Sequence, residues 1–220
     1  MFENQIQSIH SKLELFLSQN KLIFITSSFQ TQSLVLLKII SEFEKEIPVY
    51  FLNTGFHFPE TIIFKNNITN ILKINTIDVF SEIPLINQIK ENGRLIYTID
   101  TDYCCELNKT QPLKKLLEQH DVWVTGLRKE QSVARKSTEE IEPLDRKRIK
   151  YNPLVDWSKK DVIDFRDYYH LPRHPLDTNG ELSIGCQPCT RIESDQLDRK
   201  NRWFGQTKTE CGIHLSFKEK

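Results

Sequence analysis

Five cysteines set the chemistry open to this chain, and they fall into two pairs and a singleton. Cys104 and Cys105 are adjacent in "TDYCCELNK", Cys186 and Cys189 form a C-x-x-C in "IGCQPCT", and Cys211 stands near the end in "TECGIHL". Two pairs far apart in sequence can supply four thiolates to one metal centre, with structural zinc the first reading and an iron–sulfur cluster the second. Adjacent ligands such as Cys104 and Cys105 are unusual for zinc, which weakens the first reading. Four unliganded core cysteines are the plainer alternative, and the polar surroundings of both pairs speak against it. Cys211 lies between an acid and a glycine in a polar tail, so it is left over for chemistry of its own.

A second set of residues is suited to an anion. Three stretches follow expected strands: "TSSFQTQS" with Ser27 and Ser28, "NTGFHFPE" with Thr54, and "TGLRKEQSVAR" with Arg128 and Arg135. Hydroxyls, backbone N–H groups and a helix dipole together hold anions at such a place, and guanidinium forks match phosphate or sulfate. Ser27 and Ser28 alone would be read as helix caps; the arginines tip the balance toward a ligand. Lys109 is four residues past Cys105, which on a helix turns both the same way. Arg199 and Arg202 in "LDRKNRWFG" are three apart, again one helical face, against a plain reading as a solvated charged run. Neither GxxxxGK[ST] nor GxGxxG occurs, so an ordinary P-loop and a Rossmann dinucleotide site are unsupported.

These residues need a scaffold, and the sequence alternates strand-like and helix-like segments. "FENQIQSIHSKLELFLSQ" carries Ile6, Ile9, Leu13 and Leu17 on one helical face. "LIFITSS", "PVYFLNTG", "ILKINTID" and "DVWVTGL" read as strands. Helices are expected over "TQSLVLLKIISEFEKE", "FPETIIFKNN", "SEIPLINQIKENG" up to Gly93, the latter part of "DYCCELNKTQPLKKLLEQH", and "WSKKDVIDFRDYYH" with a capping box from Ser158 to Asp161. Alternation of this kind implies an α/β fold with a mostly parallel sheet covered by helices on both faces. Residues 1–170 are expected to form the α/β domain, and 171–220 an extension laid over it.

Composition narrows the partners. Thirty basic residues balance thirty acidic ones in 220 residues, so no long-range field favours nucleic acid or anionic lipid. "SLVLLKII" is too short to span a bilayer, and the N-terminus lacks the basic and apolar regions of a signal peptide. The expectation is a cytoplasmic protein, in whose reducing surroundings cysteines serve metals or catalysis more often than disulfides.

Taken in order, "SSFQTQ", "FLNTGFHFPET", "YCCELNK", "VTGLRKEQSVAR", "NPLVDW", "SIGCQPCTR", "DRKNRWF" and "ECGIH" resemble the assimilatory adenylyl-sulfate and phosphoadenylyl-sulfate reductases, over nearly everything from residue 22 to 214. The resemblance implies an ATP-pyrophosphatase-like (adenine nucleotide alpha hydrolase) fold with a modified phosphate loop at Ser27–Ser28. It implies that Cys211 is the nucleophile, on a mobile tail, and that Cys104, Cys105, Cys186 and Cys189 bind a [4Fe–4S] cluster of the kind found in the adenylyl-sulfate subgroup. Lys109, Arg128, Arg199 and Arg202 correspond to the family's substrate cations, with Ser27, Ser28 and Thr54 beside them. His214, three past Cys211, is weighed as an assisting group against an incidental histidine. The implied reaction yields sulfite and AMP, with thioredoxin or a glutaredoxin-like dithiol as external electron donor; a homo-oligomer is compatible with it. Two departures stand out: Gln30 replaces the usual glycine after Ser-Phe, and Asn53 the acid often found before Thr-Gly. A tRNA-thiolating relative would want S-G-G-x-D-S and a basic surface, and a zinc-stapled binding module would carry zinc in place of iron and sulfide.

Overall fold

The computed structural model describes residues 2–90, 93–177, 183–192, 201–203, 208, 210 and 212–214. Its centre is a six-stranded sheet of β1 (Ile23–Thr26), β2 (Val49–Leu52), β3 (Thr76–Val79), β4 (Val122–Val124), β5 (Ile141–Pro143) and β6 (Ile149–Tyr151), in the order β3-β2-β1-β4-β6-β5. All neighbours run parallel except β5 and β6. The apolar runs "IFI" and "VWV" are continuous because both faces of the sheet are covered. On one face Ile23, Ile25, Val122 and Val124 join α1 (Glu3–Ser18) and α2 (Leu34–Ser41) in the main core. On the other, Phe24, Leu52 and Trp123 meet Leu113, Leu116 and Leu117 of α5 (Gln111–Gln119). Strand pairing leaves β1 toward β2 on one side and toward β4 on the other, so their carboxyl ends flank a topological switch point, where open α/β sheets bind ligands.

Most expected elements form. Ile9, Leu13 and Phe16 bury the inner face of α1. The third helix, α3 (Pro59–Leu72), runs longer than "FPETIIFKNN", so β3 begins only at Thr76. In α6 (Lys159–Tyr168) the capping box closes: Asp161 N–H donates to Ser158 Oγ at 3.1 Å, and Ser158 N–H to the Asp161 carboxylate at 2.8 Å. Among the described residues no helix is long and apolar enough to cross a membrane.

Three expectations are corrected. The helix expected over 81–93 is a single 3₁₀ turn, Leu85–Gln88, followed by a bridge between Ile89 and Leu95. Ile86 and Ile89 stay 72% and 40% exposed. No apolar stripe is buried to reward a helix there; Gln88 is held instead by paired amide bonds to Asn108 at 2.9 and 2.7 Å. The chain from 101 is helical throughout, as α4 (Thr101–Cys105), a π turn over Glu106–Thr110, and α5. A π turn stands where an α-helical turn was expected, yet Cys105 and Lys109 still line one cavity. Arg202, expected on a helical face with Arg199, lies in an antiparallel bridge with Thr190; Arg199 lies outside the described residues. The β5–β6 hairpin had no counterpart among the expected strands.

Candidate active site

At the switch point the loops after β1 and β4, the start of α2 and the segment Ser183–Cys186 enclose a cavity of about 480 Å³. Ser27 and Ser28 line it without capping a helix. Ser27 Oγ accepts the Phe29 N–H at 3.1 Å, and Ser28 Oγ pairs with Ser33 Oγ at 3.1 Å. Phe29 turns the chain with a left-handed φ of +51°, a conformation unusual for a non-glycine residue, held by its fully buried ring against Phe51. Among the described residues, Lys109, Arg128, Arg135, Lys159 and Arg202 line it with Glu130 as the one carboxylate. An anion is what such a cavity attracts.

Arg128 is 3% exposed and fixed by Gln32 at 2.8 Å and the Trp157 carbonyl at 3.2 Å. Burial, and secondarily Arg135, lower its pKa against the opposing pull of Glu130. Its Nε–H is buried with no hydrogen-bond partner among the described residues, a donor left for a ligand. Arg202 lies over Gly185, where a Cβ would overlap its guanidinium. His57 is held near a pKa of about 4 by burial and by Lys109 and Arg202, against the bond to the Leu52 carbonyl at 3.1 Å, so its imidazole is neutral.

A second, smaller cavity is lined by all four of Cys104, Cys105, Cys186 and Cys189, and shares Lys109 and Cys186 with the first. The four thiols are free. Burial and the neighbouring Cys105 and Cys186 push Cys104 up to about 12; burial and Cys186 likewise raise Cys189. Cys186 goes the other way: burial alone would raise it, but Lys109, the Thr54 hydroxyl and Arg202 bring it below the ordinary thiol value. Thr54, expected beside the substrate, is turned to this thiol at 3.3 Å and is 3% exposed. Gathering four sulfurs in one buried space disfavours their ionisation, and a cationic centre among them would reverse that. Among the described residues no set of three His, Cys, Asp or Glu is drawn together as a metal site.

Cys211 lies outside the described residues, but its neighbours are seated. Glu210, 7% exposed, takes Arg135 in two hydrogen bonds of 3.0 and 2.8 Å and the Ser132 hydroxyl at 3.0 Å. Ile213 and His214 line the strand-end cavity, and His214 stacks on Trp123 with centroids 5.5 Å apart.

A model of the phosphoadenosine phosphosulfate reductase domain matches residues 22–192. The chain belongs to this family. Its members are oxidoreductases, and this reductase is 38% identical over 199 residues to adenosine 5'-phosphosulfate reductase of Oceanobacillus iheyensis, covering 88% of this chain and 82% of that one. It is 34% identical over 199 residues to phosphoadenosine 5'-phosphosulfate reductase of Gloeobacter violaceus, covering 87% and 82%. A phosphoadenylyl-sulfate reductase from Candida auris shares the fold, with a TM-score of 0.69 at 22% identity, over 83% of this chain and 89% of that one.

Besides Lys159, Glu130 and His57 of the cavity wall, Gln30, Glu210 and Lys208 escaped the sequence reading. Gln30, noted only as a missing glycine, accepts the Ile184 N–H at 3.2 Å and ties the phosphate loop to the C-x-x-C segment. Glu210 and Lys208 looked like ordinary charges in a polar tail. Their only sequence signal was proximity to Cys211.

Proposed function

We propose that this reductase converts adenylyl sulfate to sulfite and AMP, with Cys211 as nucleophile and a thioredoxin-type dithiol as reductant. One observation carries the reading: a cavity at the sheet's switch point lined, among the described residues, by Lys109, Arg128, Lys159 and Arg202 adjoins the cavity of the four paired cysteines, and the described residues flanking Cys211 sit against the first. The Cys211 thiolate attacks the sulfate sulfur, the bond from that sulfur to the phosphate oxygen breaks, and AMP leaves with the electron pair. A thioredoxin thiolate then attacks Cys211 Sγ, and sulfite departs with the electrons of the S–S bond. The second thioredoxin thiol resolves the mixed disulfide, leaving Cys211 reduced and thioredoxin oxidised.

Arg128, Lys109 and Arg202 offset the charge of the substrate's phosphate and sulfate, and Arg199 is included with them on the family resemblance. Ser27 and Ser28 offer hydroxyls to the phosphate. Cys104, Cys105, Cys186 and Cys189 would hold a [4Fe–4S] cluster, which supplies charge and geometry beside the sulfate without turning over electrons. The donor set fits, being all thiolate, convergent and served by a cation. The preference for adenylyl sulfate over its 3'-phosphorylated form rests on those pairs and on similarity to relatives such as the Oceanobacillus protein. A cytoplasmic setting, with residues 171–220 as an extension over the 1–170 domain, suits the same reading.

The test is a stalled turnover. Given adenylyl sulfate without thioredoxin, the protein is expected to release AMP and carry a sulfonate on the Cys211 peptide by mass spectrometry; reduced thioredoxin then frees sulfite. Cys211→Ser is expected to bind nucleotide and neither release AMP nor form the adduct. An adduct on another cysteine, or full activity in Cys211→Ser, overturns the assignment. A higher kcat/KM for the phosphorylated nucleotide overturns the substrate preference.

A further inference from the structure

The helix that carries Cys104 and Cys105 continues into the π turn, and Asn108 in that turn lines the four-cysteine cavity. It is 2% exposed, and its Nδ2 lies 3.0 Å from the Cys104 carbonyl oxygen and 3.7 Å from Cys104 Sγ. The longer contact suits a sulfur acceptor, which is larger than oxygen. The same carboxamide meets Gln88, also 2% exposed. Asn108 Nδ2 donates to Gln88 Oε1 at 2.7 Å, and Gln88 Nε2 donates to Asn108 Oδ1 at 2.9 Å.

The direction of this pair is fixed at both ends. Gln88 Nε2 also donates to the Ile83 carbonyl at 2.8 Å, and a carbonyl only accepts. Gln88 therefore turns its oxygen to Asn108 Nδ2. The Cys104 carbonyl demands the same orientation from the other side, since a flipped Asn108 would set two oxygens against each other. One N–H of Asn108 is taken by Gln88, so the other is held on Cys104. A neutral thiol is a weak acceptor and makes little use of such a donor. A thiolate bound to a metal centre has no proton and accepts a charge-assisted bond.

We infer that Asn108, aligned by Gln88, is a positioning residue that orients Cys104 as a cluster ligand and donates a hydrogen bond to its sulfur. This rests on the cluster reading above. Hydrogen bonds to ligating sulfurs tune an iron–sulfur centre, and outer partners of this kind hold a ligand in place. The donor also opposes protonation of the Cys104 sulfur, which would release it from the metal.

Two kinds of variant separate this role from a mere anchor for the Leu85–Gln88 turn. Asn108→Asp keeps an acceptor for Gln88 Nε2 and has no N–H. Gln88→Leu breaks the anchor and leaves the Asn108 N–H, still oriented by the Cys104 carbonyl. Iron, acid-labile sulfide and the Fe–S stretching frequencies are measured on each, then the rate of bleaching by a chelator. Asn108→Asp is expected to shift the stretches and to bleach roughly tenfold faster than wild type. Asn108→Leu should match it, lacking the donor without adding a charge. Failure of both to take up iron, with circular dichroism preserved, is the same result in its extreme form. Gln88→Leu should keep wild-type stretches and bleach much less fast than the Asn108 variants. Iron-replete Asn108 variants with wild-type stretches and bleaching overturn the inference, as does Gln88→Leu matching them in both readouts. Wild-type protein without iron and sulfide overturns the cluster reading and the inference together, so the two failures are distinguishable.

Discussion

Arg135 and Glu210 meet in a two-point ion pair, Nε to Oε1 at 3.0 Å and Nη2 to Oε2 at 2.8 Å, with side chains 7% and 4% exposed. Breaking a buried pair from one side leaves the other charge without compensation, at about 3 kcal/mol or more. Glu210→Gln is therefore expected to lower the docked fraction of the tail and cut kcat/KM by roughly a hundredfold. Its iron content should stay near wild type, while its thermal midpoint should fall with the buried Arg135 charge left uncompensated. Steady-state kinetics beside a melting curve checks this; unchanged kcat/KM would mean that the pair does not govern the tail.

Gly185 makes room for Arg202, since any Cβ there overlaps the guanidinium. Gly185→Ala should displace that fork from the strand-end cavity. Loss of a charge-assisted hydrogen bond, about 1.5–3 kcal/mol, raises the nucleotide KM roughly ten- to a hundredfold. Calorimetric titration with AMP and with adenylyl sulfate separates the contribution to the sulfate from that to the shared phosphate. Wild-type affinity of the variant for both ligands would remove Arg202 from the site.

His174 gives the fold a pH dependence. It is 1% exposed, Nδ1 accepts the Leu176 N–H at 3.2 Å, and Nε2 is 3.0 Å from the Thr61 hydroxyl. Burial, opposed by Asp177 and Glu60, lowers its pKa below 6.5. The unfolded chain thus takes up a proton that the folded one refuses. The stability from a neutral His174 is fully present above pH 6.5 and is lost as pH falls toward the lowered value. Urea midpoints measured downward from pH 7 should fall, and His174→Gln should flatten that slope. A parallel slope in the variant would assign the acid sensitivity elsewhere.

Cys186 touches both cavities, and its backbone is fixed by the bridge to His57 and the bond from Gln187 N–H to the Phe56 carbonyl at 2.7 Å. Cys186→Ala keeps those backbone bonds and removes one thiolate. Iron and sulfide are expected to fall to a small fraction of the wild-type level, with far-UV circular dichroism preserved. Wild-type iron content in this variant would exclude Cys186 as a ligand.

The chain's local chemistry determined a good deal by itself. Short β-branched and aromatic runs such as "IFI" and "VWV" read as strands buried on both faces and form them, and Ser158 with Asp161 marks a helix start from four residues alone. Residue type and spacing singled out the two cysteine pairs and the arginines after β4, which line adjoining cavities; the E-C-G-x-H tail was read from the family resemblance, and its Cys211 lies outside the described residues. What the sequence could not decide depends on contacts across the chain. The stretch 81–93 has helical residue types, yet Gln88 is claimed by Asn108, twenty residues away. Lys109 serves Cys186 and Thr54 faces the same thiol because the C-x-x-C segment folds back over the strand end. Glu210 and Lys208 read as solvated charges until Arg135 and α4 are brought beside them. A charge's worth is set by its partner and its dielectric, and both are properties of the folded chain.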